Sequence, residues 1–229
     1  MKKTCLLLYF MPVLILVICL SGCRISQTRE VGESVEPFNE QCITGQAIVH
    51  YYFDTNNYFT EQKHVFCPNN KSLSIESTEP AGIFQWKLQK TRYTKNKSQD
   101  NIPDQTAYWN KALLYGIYDL MVYGGDFKTI SSEEKNPSLV TIEGQVYLEF
   151  NSKISDLDSF QIYKNTTNDK VDRFIAKDKN GTLWMAKSYN WSYYDGTGKL
   201  IPRKIDFFDI SQDISSKKLK ITVDYISVH

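Results

Sequence analysis

Between Gln46 and Val228 the side chains keep returning to a period of two, and that period confines most of the chain to antiparallel sheet. In Gln46 to Asp54, Ala47, Val49, Tyr51 and Phe53 share one face. Leu73 and Ile75 oppose Ser74 and Glu76, and Phe84, Trp86 and Leu88 alternate with Gln85, Lys87 and Gln89. Val140, Ile142, Val146, Leu148 and Phe150 read as one more alternating stretch. Strands are also expected over 160–163, 171–177, 183–191, 204–210 and 219–228. One apolar face and one polar face is the mark of antiparallel strands covered on one side. An aromatic fraction of 14 % suits them, since aromatic rings fit a pleated, half-buried surface. Polar turns punctuate the run at residues 68–71, 79–82, 179–181 and 195–198.

One segment follows another rule. From Asp104 to Gly124, Trp109, Leu113, Ile117, Leu120 and Met121 recur at helical spacing. Asp104 or Thr106 can cap the start, and Gly124-Gly125 can end it. The spacing predicts one amphipathic helix, preceded by a polar loop over 95–101. The fold expected is mainly β (α+β): a strongly curved antiparallel sheet, or incomplete β-barrel, wrapped around one central helix.

The first 23 residues belong to no strand. Lys2 and Lys3 precede an apolar run from Leu6 to Leu20, which ends in Leu-Ser-Gly-Cys23. The run is shorter than a bilayer span and Pro12 interrupts it, so it reads as a signal peptide rather than an anchor helix. With its cysteine after small residues it resembles a bacterial lipoprotein signal with a lipobox. The resemblance implies cleavage after residue 22, lipid such as palmitate on Cys23, and attachment to a membrane in the cell envelope. Arg24 stands where an aspartate commonly retains Gram-negative lipoproteins at the inner membrane. That implies the outer membrane, facing the periplasm, if the source is Gram-negative. Residues 23–40 are polar and aperiodic, a lipidated start and flexible tether. Residues 41–229 are expected to form a single curved-sheet domain.

The signal removes Cys5 and Cys19, and lipid takes Cys23. Cys42 and Cys67 remain in an oxidising compartment and are expected to form a disulfide, with two buried thiols as the alternative. No Cys-x-x-Cys or His-x-x-x-His spacing offers a metal site, and no cofactor is expected.

The C-terminal runs are DGTGKLIPRKIDFFDI over 195–210 and KKLKITVDYISV over 217–228. They resemble the end of the outer-membrane lipoprotein carrier and receptor (LolA/LolB-like) superfamily: a turn, a Gly-x-Leu-x-Pro entry into a strand, and a final Leu-x-Ile strand closing on Val228. The resemblance implies an incomplete antiparallel barrel, lidded by helices, whose apolar cavity takes acyl chains. One helical segment is legible here where the family has several lid helices, and no arginine can be assigned to the family's lid lock.

Trp86, Trp109, Leu113, Ile117 and Met121 are the candidate lining of such a cavity, being large and on inward-reading faces. The alternative is that side chains fill the concave face, leaving a structural module that binds another envelope protein. Enzymatic function is not expected: no Gly-x-Ser-x-Gly elbow is present, and the Gly-Thr-Gly-Lys of 196–199 lacks the spacing of a phosphate loop. Without Lys2 and Lys3 the chain carries 25 basic against 26 acidic residues, so nothing draws it to nucleic acid. Partners are expected to be the membrane, through the N-terminal lipid, and a lipid or lipoprotein ligand.

Overall fold

The computed structural model describes residues 42–52, 57–79, 85–89, 92–96, 111–125, 137–154, 157–194 and 198–229. The signal, Cys23, the tether, Trp109 and most of the 195–198 turn lie outside them. The described strands are β1 (Ile43–Tyr52), β2 (Asn57–Cys67), β3 (Ser72–Glu79), β4 (Gln85–Gln89) and β5 (Arg92–Asn96). Helix α1 (Lys111–Val122) follows. Then come β6 (Ser138–Ile142), β7 (Gln145–Asn151), β8 (Ser159–Asn165), β9 (Val171–Lys177), β10 (Leu183–Tyr193), β11 (Leu200–Asp209) and β12 (Lys218–Val228).

All twelve strands form one antiparallel sheet in the order β5-β4-β3-β2-β1-β12-β11-β10-β9-β8-β7-β6. Two meanders, β1–β5 and β6–β12, meet where the first strand pairs with the last. Thr44 and His229 exchange two backbone hydrogen bonds at that seam, 2.7 and 2.8 Å. The sheet does not close on itself, and β5 and β6 are its edges.

The helix shows that the sheet is rolled. It touches β3 and β4 as well as β9, β10 and β11. β4 and β9 are seven places apart in the sheet, about 34 Å if it were flat, while a helix is about 10 Å across. Only a curled sheet brings both to one helix. Ten of the twelve helical residues are buried, Leu113, Ile117 and Met121 completely. A central amphipathic helix was expected; this one is central, and it is apolar nearly all round because the sheet surrounds it. Gly116 makes the closest approach, since a Cβ there would lie 1.8 Å from the Phe174 ring. Tyr118 Oη donates to the Pro68 carbonyl at 3.0 Å, tying the helix to the β2–β3 turn.

Three elements differ from the sequence expectation. The 140–150 stretch is a hairpin rather than one strand: Glu143 and Gly144 turn it with φ of 51° and 77°, as a two-residue turn requires. The turn reverses the alternation, so Val146 faces the same way as Thr141, across from it, and not as Ile142. β5 occupies part of the expected polar loop. β2 had no apolar alternation to announce it, because its inward row is polar. Cys42 and Cys67 are joined in a disulfide that clamps the open end of the β1–β2 pair.

Candidate functional site

The concave side of the sheet is defined by register. Phe174 of β9 packs on Gly116, and Ile162 and Phe150 stand beside it on β8 and β7. Phe174 stacks on Phe160 with ring centroids 5.5 Å apart and meets Phe207 edge-on at 6.1 Å. Leu113, Ile117 and Met121 join these rings in one apolar cluster with Val49, Ile205, Ile221 and Val223. Three of the five expected lining residues are thus brought together. Trp86 stands in β4 opposite Ile75, and Trp109 lies outside the described residues.

The apolar lining runs out to solvent at the β6–β7 end. Phe150 is 8 % exposed, Leu148 is half-buried against the core, Val146 is 43 % exposed and Leu139, across from Leu148, is 71 % exposed. All four lie on the side that holds the helix. The fade from core to surface along one hairpin makes a greasy lip to the concave face.

At the β1–β2–β12 region the same face carries a row that the sequence did not announce. Thr60, Gln62 and His64 of β2 point inward and are buried. Gln62 Nε2 donates to Tyr51 Oη and to Thr60 Oγ1, both at 2.8 Å. Gln62 Oε1 lies 2.8 Å from His64 Nε2, and His64 Nδ1 lies 2.9 Å from Tyr225 Oη. With the amide so oriented, His64 carries its proton on Nε2 and accepts from Tyr225. Burial drives the His64 pKa down to about 3 and raises that of Tyr225, so both are neutral at ordinary pH. A signal for this row exists in hindsight. Its uncharged polar residues alternate with Glu61 and Lys63, and charged residues take the solvent side.

A second cluster lies on the convex side. Ile142, Tyr147 and Tyr163 bury Arg173, whose guanidinium lies 5.0 Å from the Tyr147 ring. Glu143, at the hairpin tip, receives Arg173 Nη2 at 3.1 Å and the Lys217 ammonium. These two cations hold its carboxyl pKa down, the Lys217 hydrogen bond most of all. Among the described residues no three His, Cys, Asp or Glu side chains are grouped to hold a metal.

No protein-family model matches the sequence, and no curated protein matches it. Solved structures do resemble the fold. An outer membrane lipoprotein-sorting protein domain from Vibrio parahaemolyticus is 8 % identical, with TM-score 0.49, over 82 % of this chain and 84 % of that one. A DUF1329 family protein from Desulfovibrio piger is 9 % identical, with TM-score 0.48, over 84 % and 86 %. A LolA superfamily protein from Nitrosomonas europaea is 13 % identical, with TM-score 0.47, over 83 % and 86 %. The chain is similar in fold to these lipoprotein-sorting and LolA superfamily structures.

Proposed function

We propose that this protein is a lipid-anchored envelope protein that holds an apolar chain, of a lipid or a lipoprotein, against the concave face of its sheet. Residues 1–22 are the signal, Cys23 carries the anchor, residues 24–40 are the tether and residues 41–229 are the binding domain. The single observation that carries the ligand reading is the lip from Phe150 through Leu148 and Val146 to Leu139. An apolar face that continues past the helix into solvent offers an acyl chain a path onto the core. A transferred methylene gains about 0.8 kcal/mol there.

The anchor and the ligand are tested separately. Mass spectrometry of the protein exported by a bacterial host should find lipid on Cys23, and C23A should leave the membrane fraction. A fluorescent fatty-acid analogue should bind the protein and lose at least about tenfold in affinity in the V146K/L148D variant, which charges the lip. Unmodified Cys23 overturns the anchor; an analogue that ignores the lip overturns the ligand site.

A second reading has its own observation. Leu113, Ile117 and Met121 are fully buried by the protein's own side chains. On that reading the concave face is filled and the module binds another envelope protein. Absence of any analogue binding, with unchanged folding, would favour it.

A further inference from the structure

The two edges of the sheet are built differently. β5 carries Arg92 and Lys95, whereas β6 reads Ser-Leu-Val-Thr-Ile and carries no charge. Edge strands are normally blunted by charge, proline or cover, because their unpaired backbone groups template further pairing. Among the described residues β6 is blunted only at its ends. Pro137, which has no N–H, precedes it, and the chain turns away at Glu143–Gly144. Between these stops lies a five-residue window, and among the described residues only β7 pairs with it.

The hairpin determines which backbone groups are free. Ile142 and Gln145 close a two-residue turn and so form a hydrogen-bonded pair, and the next pair, Thr141 and Val146, does not. Consistently, the Val146 carbonyl turns the other way and accepts from Thr166 N at 3.1 Å. Leu139 and Thr141 therefore aim their N–H and C=O groups outward.

We propose that β6 pairs with β6 of a second copy of this chain, antiparallel, about a two-fold axis through Val140. In that register Leu139 of each copy faces Thr141 of the other, and all four outward groups of each strand are used. Val140 meets Val140, and the window ends at Pro137 and Glu143 on both sides. No ionisable side chain lies in the strand, so self-pairing opposes no like charges. Leu139, 71 % exposed, gains a neighbour from the second copy. Two five-residue strands bury well below the roughly 1,200 Å² of a stable interface. The association is therefore concentration-dependent and suits molecules crowded on one surface, although it does not require the lipid anchor.

The test is site-directed crosslinking of the full chain exported by a bacterial host and purified to high concentration. In the proposed register the two Val140 Cα atoms lie about 4.5 Å apart, within disulfide reach, while the two Ser138 residues lie about 14 Å apart. Under mild oxidant V140C should dimerise at least about tenfold faster than S138C. Adding L139K and T141K to V140C sets lysines against each other and should abolish the effect. Equal rates for V140C and S138C, or no dimer of V140C, overturn the proposal. V140C that reacts only with a different envelope polypeptide also overturns self-pairing, and assigns the edge to a foreign strand. A melting curve for each variant confirms that its fold is retained.

Discussion

Replacing Gly116 by alanine sets two effects of opposite sign against each other. Alanine is the better helix former by about 1 kcal/mol, so propensity alone predicts a more stable protein. The structure predicts the reverse. A Cβ at position 116 would lie 1.8, 2.1 and 2.5 Å from three Phe174 ring carbons, against an ordinary contact beyond 3.4 Å. Helix or ring must move by more than 1 Å. The ring has no room to move, being fully buried, stacked on Phe160 and edge-on to Phe207. Overpacking of this kind costs about 1–3 kcal/mol, and expelling the ring altogether would cost about 3–5. After the propensity gain, the net loss for G116A is about 2 kcal/mol. Urea unfolding reads it as a lower midpoint at unchanged slope. F174L trims the ring, so the cost of alanine should shrink in its presence, giving a coupling of about 1 kcal/mol or more between the sites. An alanine variant as stable as the parent, or additive with F174L, would refute the close helix–sheet approach on which the rolled fold rests.

Three further outcomes are expected. C42S/C67S frees a 25-residue loop and should lose about 3.5 kcal/mol by the loop-entropy relation, read as a fall in Tm that reductant reproduces in the parent. His64 has a folded pKa of about 3 against an ordinary 6.5, so the unfolded chain binds the extra proton. Its contribution is complete above pH 6.5 and lost as pH falls toward 3, at about 1.4 kcal/mol per unit, and H64Q should flatten the stability–pH curve between pH 6.5 and 5. E143Q leaves the buried Arg173 without its counter-charge and should cost about 2–3 kcal/mol, while E143Q/R173M should recover most of it in thermal melts.

How far the sequence reached is best seen in particular elements. β12 was legible because Ile221, Val223 and Tyr225 of its inward row alternate with Lys220, Thr222 and Asp224. β2 was not, because Thr60, Gln62 and His64 fill its inward row and are satisfied by Tyr51 and Tyr225, residues on other strands. The 143–144 turn was hidden for a related reason. Glu-Gly is a weak turn signature, and its glutamate is held by Arg173 and Lys217, 30 and 74 residues away in sequence. Helical spacing located Leu113, Ile117 and Met121. The lip at Val146 and Leu139 could not be foreseen, because it depends on a hairpin that the alternation concealed.

The meeting of β1 and β12 has a consequence for how the molecule is made. Every other neighbour in the sheet is also the next or previous strand in the chain, so each meander can zip as it emerges. The joining strand is the last of the twelve in chain order. Until residues 218–229 are available, β1 and β11 each present an open flank, and the five-strand and six-strand halves have no common ladder. Contacts of such long sequence separation form late, and unpaired flanks are prone to misassembly in the interval. Completion of the sheet must wait for residues 218–229. A premature stop there removes the seam itself rather than trimming an end.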